Sequence, residues 1–248
     1  QSASAGDGGE AFRLFVERSD GKVVQYLPEL LEAFLDEVIR EQPSALVLSG
    51  DITMNGERIN HEELAARLKR VQDAGIQVLV IPGNHDINNH NAAVYYGAQK
   101  EPAPYIDGPE FYEIYHEYGY DQALSRDSGS LSYVYALDDR NWLLMLDSCQ
   151  YEPDNKVEGR LKDSTMAWAD EQLARAEEEG VFVIPIAHHN LLAQSRMYTT
   201  QCAMDNNAEV ISLLQKHRLP LFFSGHLHVQ RIRKHKSEPG VPDGDYGI

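Results

Sequence analysis

The chain has 248 residues, 42% of them hydrophobic and 25% charged, which is the composition of an ordinary globular protein. This length suits a single α/β domain over residues 1–248 and is short for two domains. With 22 basic and 39 acidic residues the formal net charge is −17, which argues against a long nucleic acid as partner, because binding the phosphate backbone needs clustered Lys and Arg.

The chain carries neither a predicted transmembrane segment nor a signal-peptide pattern. No apolar run approaches the roughly 18 residues that a membrane-spanning helix needs. The opening residues lack the basic and apolar regions of a secretory signal. Cys149 and Cys202 have no metal-knuckle or disulfide-framework spacing, so the redox compartment stays open.

Strand patterns and helix patterns alternate along the chain. In chain order we predict a strand at 45–49, a helix at 61–74, a strand at 76–81, a helix at 109–118, strands at 131–137 and 142–146, a helix at 165–179, a strand at 181–187, a helix at 206–217 and a strand at 219–224. Residues 87–107 include Pro102 and Pro104 and are predicted to be irregular, as a lid or a substrate loop. The alternation predicts a largely parallel sheet with right-handed crossovers. The strand pair at 131–146, joined by a turn at 138–141, predicts antiparallel additions and a possible second sheet.

Four polar loops follow four of the predicted strands directly. They are Gly50-Asp51, Gly83-Asn84-His85-Asp86, His188-His189 and Gly225-His226-Leu227-His228. Each lies just past the carboxyl end of a buried strand, where open α/β sheets bind their ligands. A single such loop is most often only a turn, but four of them at one edge make a purely structural explanation improbable.

The residue types in these loops match a transition-metal site. In an extended segment alternate residues point the same way, so His226 and His228 can face one metal pair. Carboxylate, amide oxygen and imidazole ligands suit Mn, Fe or Zn better than a thiolate site or an all-oxygen calcium site would. The five other histidines at 61, 90, 116, 217 and 235 are predicted to be ordinary hydrogen-bonded core or surface residues.

The motif order GD, GNHD, H, GHxH resembles the calcineurin-like metallophosphoesterase superfamily over nearly the whole chain. In detail the motifs are similar to the branch that contains class III cyclic-nucleotide phosphodiesterases and their bacterial relatives. The resemblance implies a four-layer αββα sandwich with two mixed sheets. It also implies two divalent or trivalent transition-metal ions as cofactors and a small phosphate ester as substrate.

The resemblance also implies a role for each motif residue. Asp51 is expected to bridge the two metals, and the second metal is expected to be bound by Asn84, His188 and His226. His228 is expected to bind the first metal. His85 stays off the metals and protonates the leaving oxygen as general acid, Asp86 is its expected orienting partner, and His189 is expected to lie behind the ligands.

One family motif is absent from the sequence. The family opens with a strand that ends in Asp-x-His and supplies two ligands to the first metal, but no such triplet precedes Asp51. The first metal is then left with two protein ligands and the second with four. Either the first strand lies outside this sequence, which we favour, or the protein has lost a metal. Only about twenty residues follow His228, in a turn-rich stretch at 239–248, whereas the family continues with further strands.

Together these observations predict a dinuclear-metal phosphoesterase, in which a hydroxide held between two metals attacks phosphorus. A diester such as a (cyclic) nucleotide is favoured over a monoester, since no Arg fork lies near the motifs and the acidic chain suits a substrate of low charge. The alternatives are a phosphomonoesterase, a degenerate fold kept as a non-catalytic binding module, or a dinuclear hydrolase acting on an amide or thioester.

Overall fold

Two helices precede the first strand. The structure is a computed structural model that describes residues 3–18, 23–193, 201–235 and 244–246; most of the stretch 239–248 lies outside them. The first helices are α1 (Glu10–Glu17) and α2 (Leu27–Glu41), which the sequence patterns did not predict. Helix α2 has a proline in its first turn, where an N–H has no intrahelical partner, and a left-handed residue after its end.

Every strand and helix predicted from the patterns is present, with ends shifted by at most three residues. In chain order they and the additional elements are β1 (Ala45–Ser49), α3 (Arg58–Asp73), β2 (Gln77–Ile81), β3 (Ala93–Tyr96), β4 (Gln99–Pro102), α4 (Gly108–Tyr115), β5 (Ser125–Arg126), β6 (Tyr133–Ala136), β7 (Asn141–Leu146), α5 (Asp163–Glu179), β8 (Phe182–Ala187), α6 (Asn207–Lys216), β9 (Leu221–Ser224), β10 (Lys234–His235) and β11 (Gly244–Tyr246). None of the helices in the described part of the chain is long and apolar enough to cross a membrane.

The segment 87–107, predicted to be irregular, contains the antiparallel hairpin β3–β4. Gly97 supplies a left-handed residue at its turn, with φ of +55°. Pro102 is the last residue of β4, a position where the missing N–H is tolerated. The two prolines therefore delimit the hairpin and do not prevent it.

Three sheets are present among the described residues. Strands β1 and β2 form a parallel pair, β3 and β4 the hairpin, and the largest sheet has the order β10-β11-β9-β8-β7-β6-β5. In that sheet β7, β8 and β9 are parallel, with α5 and α6 as crossovers, whereas β5, β6 and β7 are antiparallel. The predicted combination of parallel crossovers and antiparallel additions is confirmed.

Side chains of the large sheet alternate between two cores. Tyr133 and Tyr135 pack towards β1 and β2, whereas Val134 between them packs towards α5 and α6. Helices α2 and α3 cover the other face of the β1–β2 pair through residues such as Leu35 and Leu68. The layers are therefore helix, sheet, sheet and helix, which confirms the four-layer mixed α/β architecture.

Candidate metal centre

Four of the predicted ligands follow four strand ends that meet at one edge. Asp51 follows β1, Asn84 follows β2, His188 follows β8 and His226 follows β9. The loops after β1 and β2 touch through glycines: a Cβ on Gly83 would lie 2.1 Å from the backbone nitrogen of Asp51. Only a residue without a side chain allows this approach, which places Asp51 beside the Gly83-Asn84-His85-Asp86 loop.

The ring nitrogen Nε2 of His188 is the centre of a group of lone pairs. It lies 3.3 Å from Oδ2 of Asp51, 3.1 Å from Oδ1 of Asn84 and 3.2 Å from Nδ1 of His226. His188 donates its Nδ1–H to the carbonyl of Ser49, at 2.8 Å, so Nε2 of the neutral ring carries no hydrogen. His226 likewise donates Nε2–H to the carbonyl of Gln201, at 2.7 Å, which leaves its Nδ1 as an acceptor.

Four acceptor atoms that face one another need a shared cation. Separations of 3.1–3.3 Å between donor atoms match those of adjacent ligands around one ion at a metal–ligand distance of about 2.1 Å. Each imidazole is also fixed by a carbonyl on its other nitrogen, as metal-bound histidines usually are. The residues present therefore fit a transition-metal ion between Asp51, Asn84, His188 and His226.

The charges in this group reinforce one another. Burial alone would raise the pKa of Asp51, but the hydrogen bond and charge of His188 hold that pKa well below its usual range. Burial alone would lower the pKa of His188, but the Asp51 carboxylate outweighs it and raises that pKa. The pair thus favours a positive charge at His188 Nε2, which a proton or a metal ion can supply.

His189 is near the centre but does not belong to the ligand set. Its ring lies in one group of potential ligands with His188 and His226. However, Ser148 donates its hydroxyl to His189 Nδ1 at 2.8 Å, and His189 Nε2–H donates to the carbonyl of Val157 at 3.0 Å. Burial and the two neighbouring imidazoles lower the pKa of His189 to about 3, so the ring is neutral and both nitrogens are occupied.

His228 is placed differently from the other predicted ligands. Its side chain is exposed and, within the described residues, makes no hydrogen bond. It lines the same two cavities as Asp51. It is therefore close to the Asp51 carboxylate.

The imidazole of His85 is held by the backbone. Its Nδ1–H donates to the carbonyl of Met54 at 2.8 Å, while its backbone N–H donates to Oδ1 of Asp51 at 2.9 Å. The ring borders the larger cavity beside the centre. Within the described residues, Nε2 of this ring makes no hydrogen bond.

The prediction that Asp86 orients the His85 ring is wrong. The fully buried Asp86 carboxylate accepts hydrogen bonds from the backbone N–H groups of Ile52, Thr53 and Gly83 and from the hydroxyl of Thr53, at 2.7–3.3 Å. Asp86 therefore lies inward, while the His85 ring binds the Met54 carbonyl and borders the cavity. Asp86 joins the loops after β1 and β2 to each other.

Three residues that sequence reasoning did not select fix the carbonyls of the 83–87 loop. Asn155 donates to the carbonyls of Asn84 and Ile87 at 2.7 and 2.6 Å, and Asn89 donates to that of His85 at 3.1 Å. His61 Nε2–H donates to the carbonyl of Asp86 at 3.0 Å. His61 is thus the hydrogen-bonded core histidine that was predicted, and its partner belongs to the candidate site.

Comparison with known proteins agrees with this arrangement of loops. Residues 24–230 match the sequence model of the family described as Calcineurin-like phosphoesterase. The chain belongs to this family.

Curated relatives that match this chain have phosphodiesterase names. A probable cyclic nucleotide phosphodiesterase of Ruthia magnifica subsp. Calyptogena magnifica is 37% identical over 65 residues, 26% of this chain and 26% of the relative. The glycerophosphodiester phosphodiesterase GpdQ of Enterobacter lignolyticus (strain SCF1) is 28% identical over 192 residues, 77% of this chain and 58% of the relative. The matched part of the chain thus spans less than two thirds of each of these proteins.

A solved structure has the same fold. A dimetal phosphatase from Danio rerio superposes with a TM-score of 0.58 at 14% identity, over 88% of this chain and 76% of that one. This likeness confirms the metallophosphoesterase fold that the motifs predicted.

Two cavities of this calcineurin-like chain meet at the centre. One, of about 420 Å³, is lined by Asp51, His226 and His228 together with backbone of the β9 loop. The other, of about 540 Å³, reaches from Asp51, His85 and His228 towards α1 and α2. Asp51 and His228 border both, so a molecule bound at the centre has access to either cavity.

Proposed function

We propose that this chain hydrolyses a small phosphodiester with the help of two transition-metal ions of the Mn, Fe or Zn group. The observation that carries the proposal is the group of acceptor atoms around His188 Nε2, at 3.1–3.3 Å. Membership of the calcineurin-like family and the phosphodiesterase names of the relatives support the same chemistry.

Metal ions bound here would neutralise the phosphate and lower the pKa of an attacking water molecule. Asp51, Asn84, His188 and His226 would hold one ion, and Asp51 and His228 would be this chain's ligands to the other. The carbonyls of Ser49 and Gln201 orient the two imidazoles, so that each ring presents a lone pair to the centre.

His85 is proposed to donate a proton to the departing oxygen. The Met54 carbonyl holds Nδ1–H in both charge states of the ring, so the proton that is given up lies on Nε2.

A diester is favoured over a monoester by the charge of the site. Among the described residues that line the two cavities, Arg67 is the one arginine or lysine, and its guanidinium is paired with Glu63 and Glu32. The second negative charge of a monoester would therefore find no unpaired Arg or Lys among these lining residues. A phosphomonoesterase remains the alternative that substrate profiling decides.

The experiment is elemental analysis of protein expressed from its complete reading frame, with hydrolysis of bis(p-nitrophenyl) phosphate and of p-nitrophenyl phosphate assayed alongside. His226→Ala is compared with His90→Ala, a change at an exposed histidine outside the ligand group. We expect two metals per chain, chelator-sensitive turnover that is faster on the diester, and loss of metal in the first variant alone.

The other outcomes are equally informative. One metal without turnover would favour a non-catalytic binding module. Full metal content in His226→Ala would contradict the ligand set around His188.

A further inference from the structure

Three imidazole rings lie in mutual contact at the candidate metal centre. The centroid of the His189 ring lies 4.9 Å from that of His188 and 4.7 Å from that of His226, and the last two rings are 5.0 Å apart. One nitrogen of each ring lies within 4.8 Å of the others. His188 and His226 are candidate ligands, whereas His189 is not, so its place between them needs a different explanation.

Two hydrogen bonds fix the His189 ring from outside the ligand loops. Its Nδ1 accepts from the hydroxyl of Ser148 at 2.8 Å, and its Nε2–H donates to the carbonyl of Val157 at 3.0 Å. A ring held at both nitrogens cannot turn without losing a hydrogen bond. Because the side chain is fully buried, water does not replace the bond that is lost.

The same two hydrogen bonds keep His189 out of the ligand set. His188 and His226 each present a nitrogen without a hydrogen, because the other nitrogen donates to a carbonyl. For the His189 ring to bind an ion, it would have to give up the Ser148 hydroxyl or the Val157 carbonyl, and a buried polar group left without a partner is costly. A third imidazole is thus held beside the candidate ligands without competing with them.

Gly159 packs directly against the His189 ring. A Cβ at this position would lie 2.2 Å from Cγ and 2.4 Å from Nδ1 of His189, whereas ordinary contact begins at 3.4 Å. The φ of Gly159 is not in the left-handed region, so the close approach, and not the backbone conformation, requires glycine here. We call residues 157–159 the clamp segment, since the Val157 carbonyl binds the ring and Gly159 covers it.

The clamp segment is also bound to the group that holds His226 on its other nitrogen. The carbonyl of Gln201 accepts the Nε2–H of His226 at 2.7 Å, and the side chain of Gln201 donates to Glu158 at 3.0 Å. The backbone N–H of Asp205 donates to the carbonyl of Gly159 at 2.8 Å. The His189 ring and the Gln201 carbonyl, which both contact His226, therefore depend on one short segment.

We infer that His189 is a positioning residue for the proposed metal site. Its ring, held by Ser148 and the clamp segment, sets the orientation of the His188 and His226 rings without binding the ion itself. The inference rests on the proposed function and adds to it a residue that controls metal affinity.

The expected effect follows from how precisely ligands must be placed. Metal–ligand distances vary by only about 0.2 Å. Relieving the contact that Gly159→Ala creates would move the His189 ring by roughly 1 Å, and the rings of His188 and His226 would follow it or lose their packing. Replacing groups that orient metal ligands typically weakens metal binding about 10–100-fold.

The test is a titration of the metal-free, full-length protein with Co²⁺, whose visible absorption bands depend on the number and arrangement of its ligands. Gly159→Ala leaves every polar group in place. It should raise the dissociation constant about 10–100-fold and change the absorption bands at saturation. Gly129→Ala is the matched control, because Gly129 is likewise not left-handed and the atom nearest to its added Cβ is the hydroxyl of Ser164, at 3.1 Å. It should bind Co²⁺ like the unaltered protein.

Two further variants separate positioning from the other roles. Ser148→Ala removes one of the two hydrogen bonds without crowding the ring, so it should weaken Co²⁺ binding in the same direction and keeps the inference testable if Gly159→Ala does not fold. His189→Gln should bind as many ions at saturation as the unaltered protein, whereas His226→Ala should lose one.

Loss of an ion in His189→Gln would overturn the inference, since His189 would then be a ligand. Variants that lower the urea midpoint but leave the dissociation constant and the absorption bands unchanged would overturn it too, because His189 would only fill space. In both cases the unaltered protein still binds its ions and the proposed function stands. If the unaltered protein bound no Co²⁺, the proposed function and this inference would fail together.

Discussion

Replacing Asp86 by asparagine tests whether its carboxylate joins the loops after β1 and β2 or orients the His85 ring. In the structure each carboxylate oxygen accepts two hydrogen bonds, one oxygen from Thr53 and the other from the backbone of Ile52 and Gly83. An amide in its place has one oxygen, and its NH₂ group faces two of the donors whose hydrogen bonds the carboxylate accepts. The loops after β1 and β2 would lose the link between them.

The expected size of the effect follows from those contacts. Hydrogen bonds to a charged group contribute about 1.5–3 kcal/mol each, so losing two costs about 3–6 kcal/mol. That is a large part of the roughly 5–15 kcal/mol by which a domain is usually stable. Since Asp51 and Asn84 lie on the two loops that separate, metal affinity should fall together with stability.

The assay is urea denaturation combined with a metal titration. Thr53→Val is a milder variant, because it removes the hydroxyl that donates to Asp86 at 2.7 Å and accepts from the backbone of Gly56 at 3.0 Å. Asp139→Asn, in an exposed turn, is the control. If Asp86→Asn kept normal stability and metal affinity and changed the pH–rate profile alone, our account would be refuted and Asp86 would act on His85 after all.

Two further predictions concern His85 and a buried carboxylate. His85→Ala should retain its metals and lose about 10²–10⁴-fold in turnover, with larger losses for alkyl than for nitrophenyl leaving groups; equal losses would contradict the acid role. Burial alone would raise the pKa of Asp127, but hydrogen bonds from Ser130, Thr165 and Gly129 lower it overall. The stability from this depressed pKa is present above the unfolded value of about 3.9 and is lost as the pH falls through the folded one. Asp127→Asn should therefore destabilise by about 1–3 kcal/mol at pH 7 and by less below pH ~4 in urea denaturation, and a constant difference would argue against it.

The sequence predicts the ligand loops well, because strand ends and polar side chains are both local features. A short apolar strand pattern followed by Gly-Asp is visible without any tertiary information, and parallel strands then bring such loops together. A contact that is not local accounts for the end of α4 at Tyr115 instead of 118. Tyr118 and Gly119 have non-helical dihedrals, and Gly119 fits closely against Tyr133 on a distant strand.

The residues that hold the loops could not be predicted in this way. Asn155 is 71 residues from Asn84, and Gln201 is 25 residues from His226. Such contacts depend on how the layers stack. Asp86 illustrates the limit most directly, since the family resemblance implied a contact with the His85 ring, whereas its carboxylate binds Thr53 and the backbone of Ile52 and Gly83.

Three of the candidate metal ligands have a strained backbone conformation. Asp51, His226 and His228 have φ values of 53°, 70° and 52°, in the left-handed region, which costs a residue with a Cβ about 1–2 kcal/mol. Such strain persists where the surroundings or a ligand offset it. His228 makes no side-chain hydrogen bond in the described chain, so metal binding is the compensation that its role suggests.

His228→Gly should therefore have opposite effects on stability and on metal binding. Without metal the variant is expected to be about 1 kcal/mol more stable, because glycine adopts this conformation without strain and gives back only part of the gain as chain entropy. Its metal content should fall, because an imidazole is removed. Val229→Gly, at an exposed neighbour that is 59% accessible and not left-handed, should be slightly destabilised and bind metal normally. The idea is refuted if both glycine variants of the metal-free protein shift the urea midpoint in the same direction. The left-handed conformation of His228 would then be a property of the loop and not a strain that metal binding offsets.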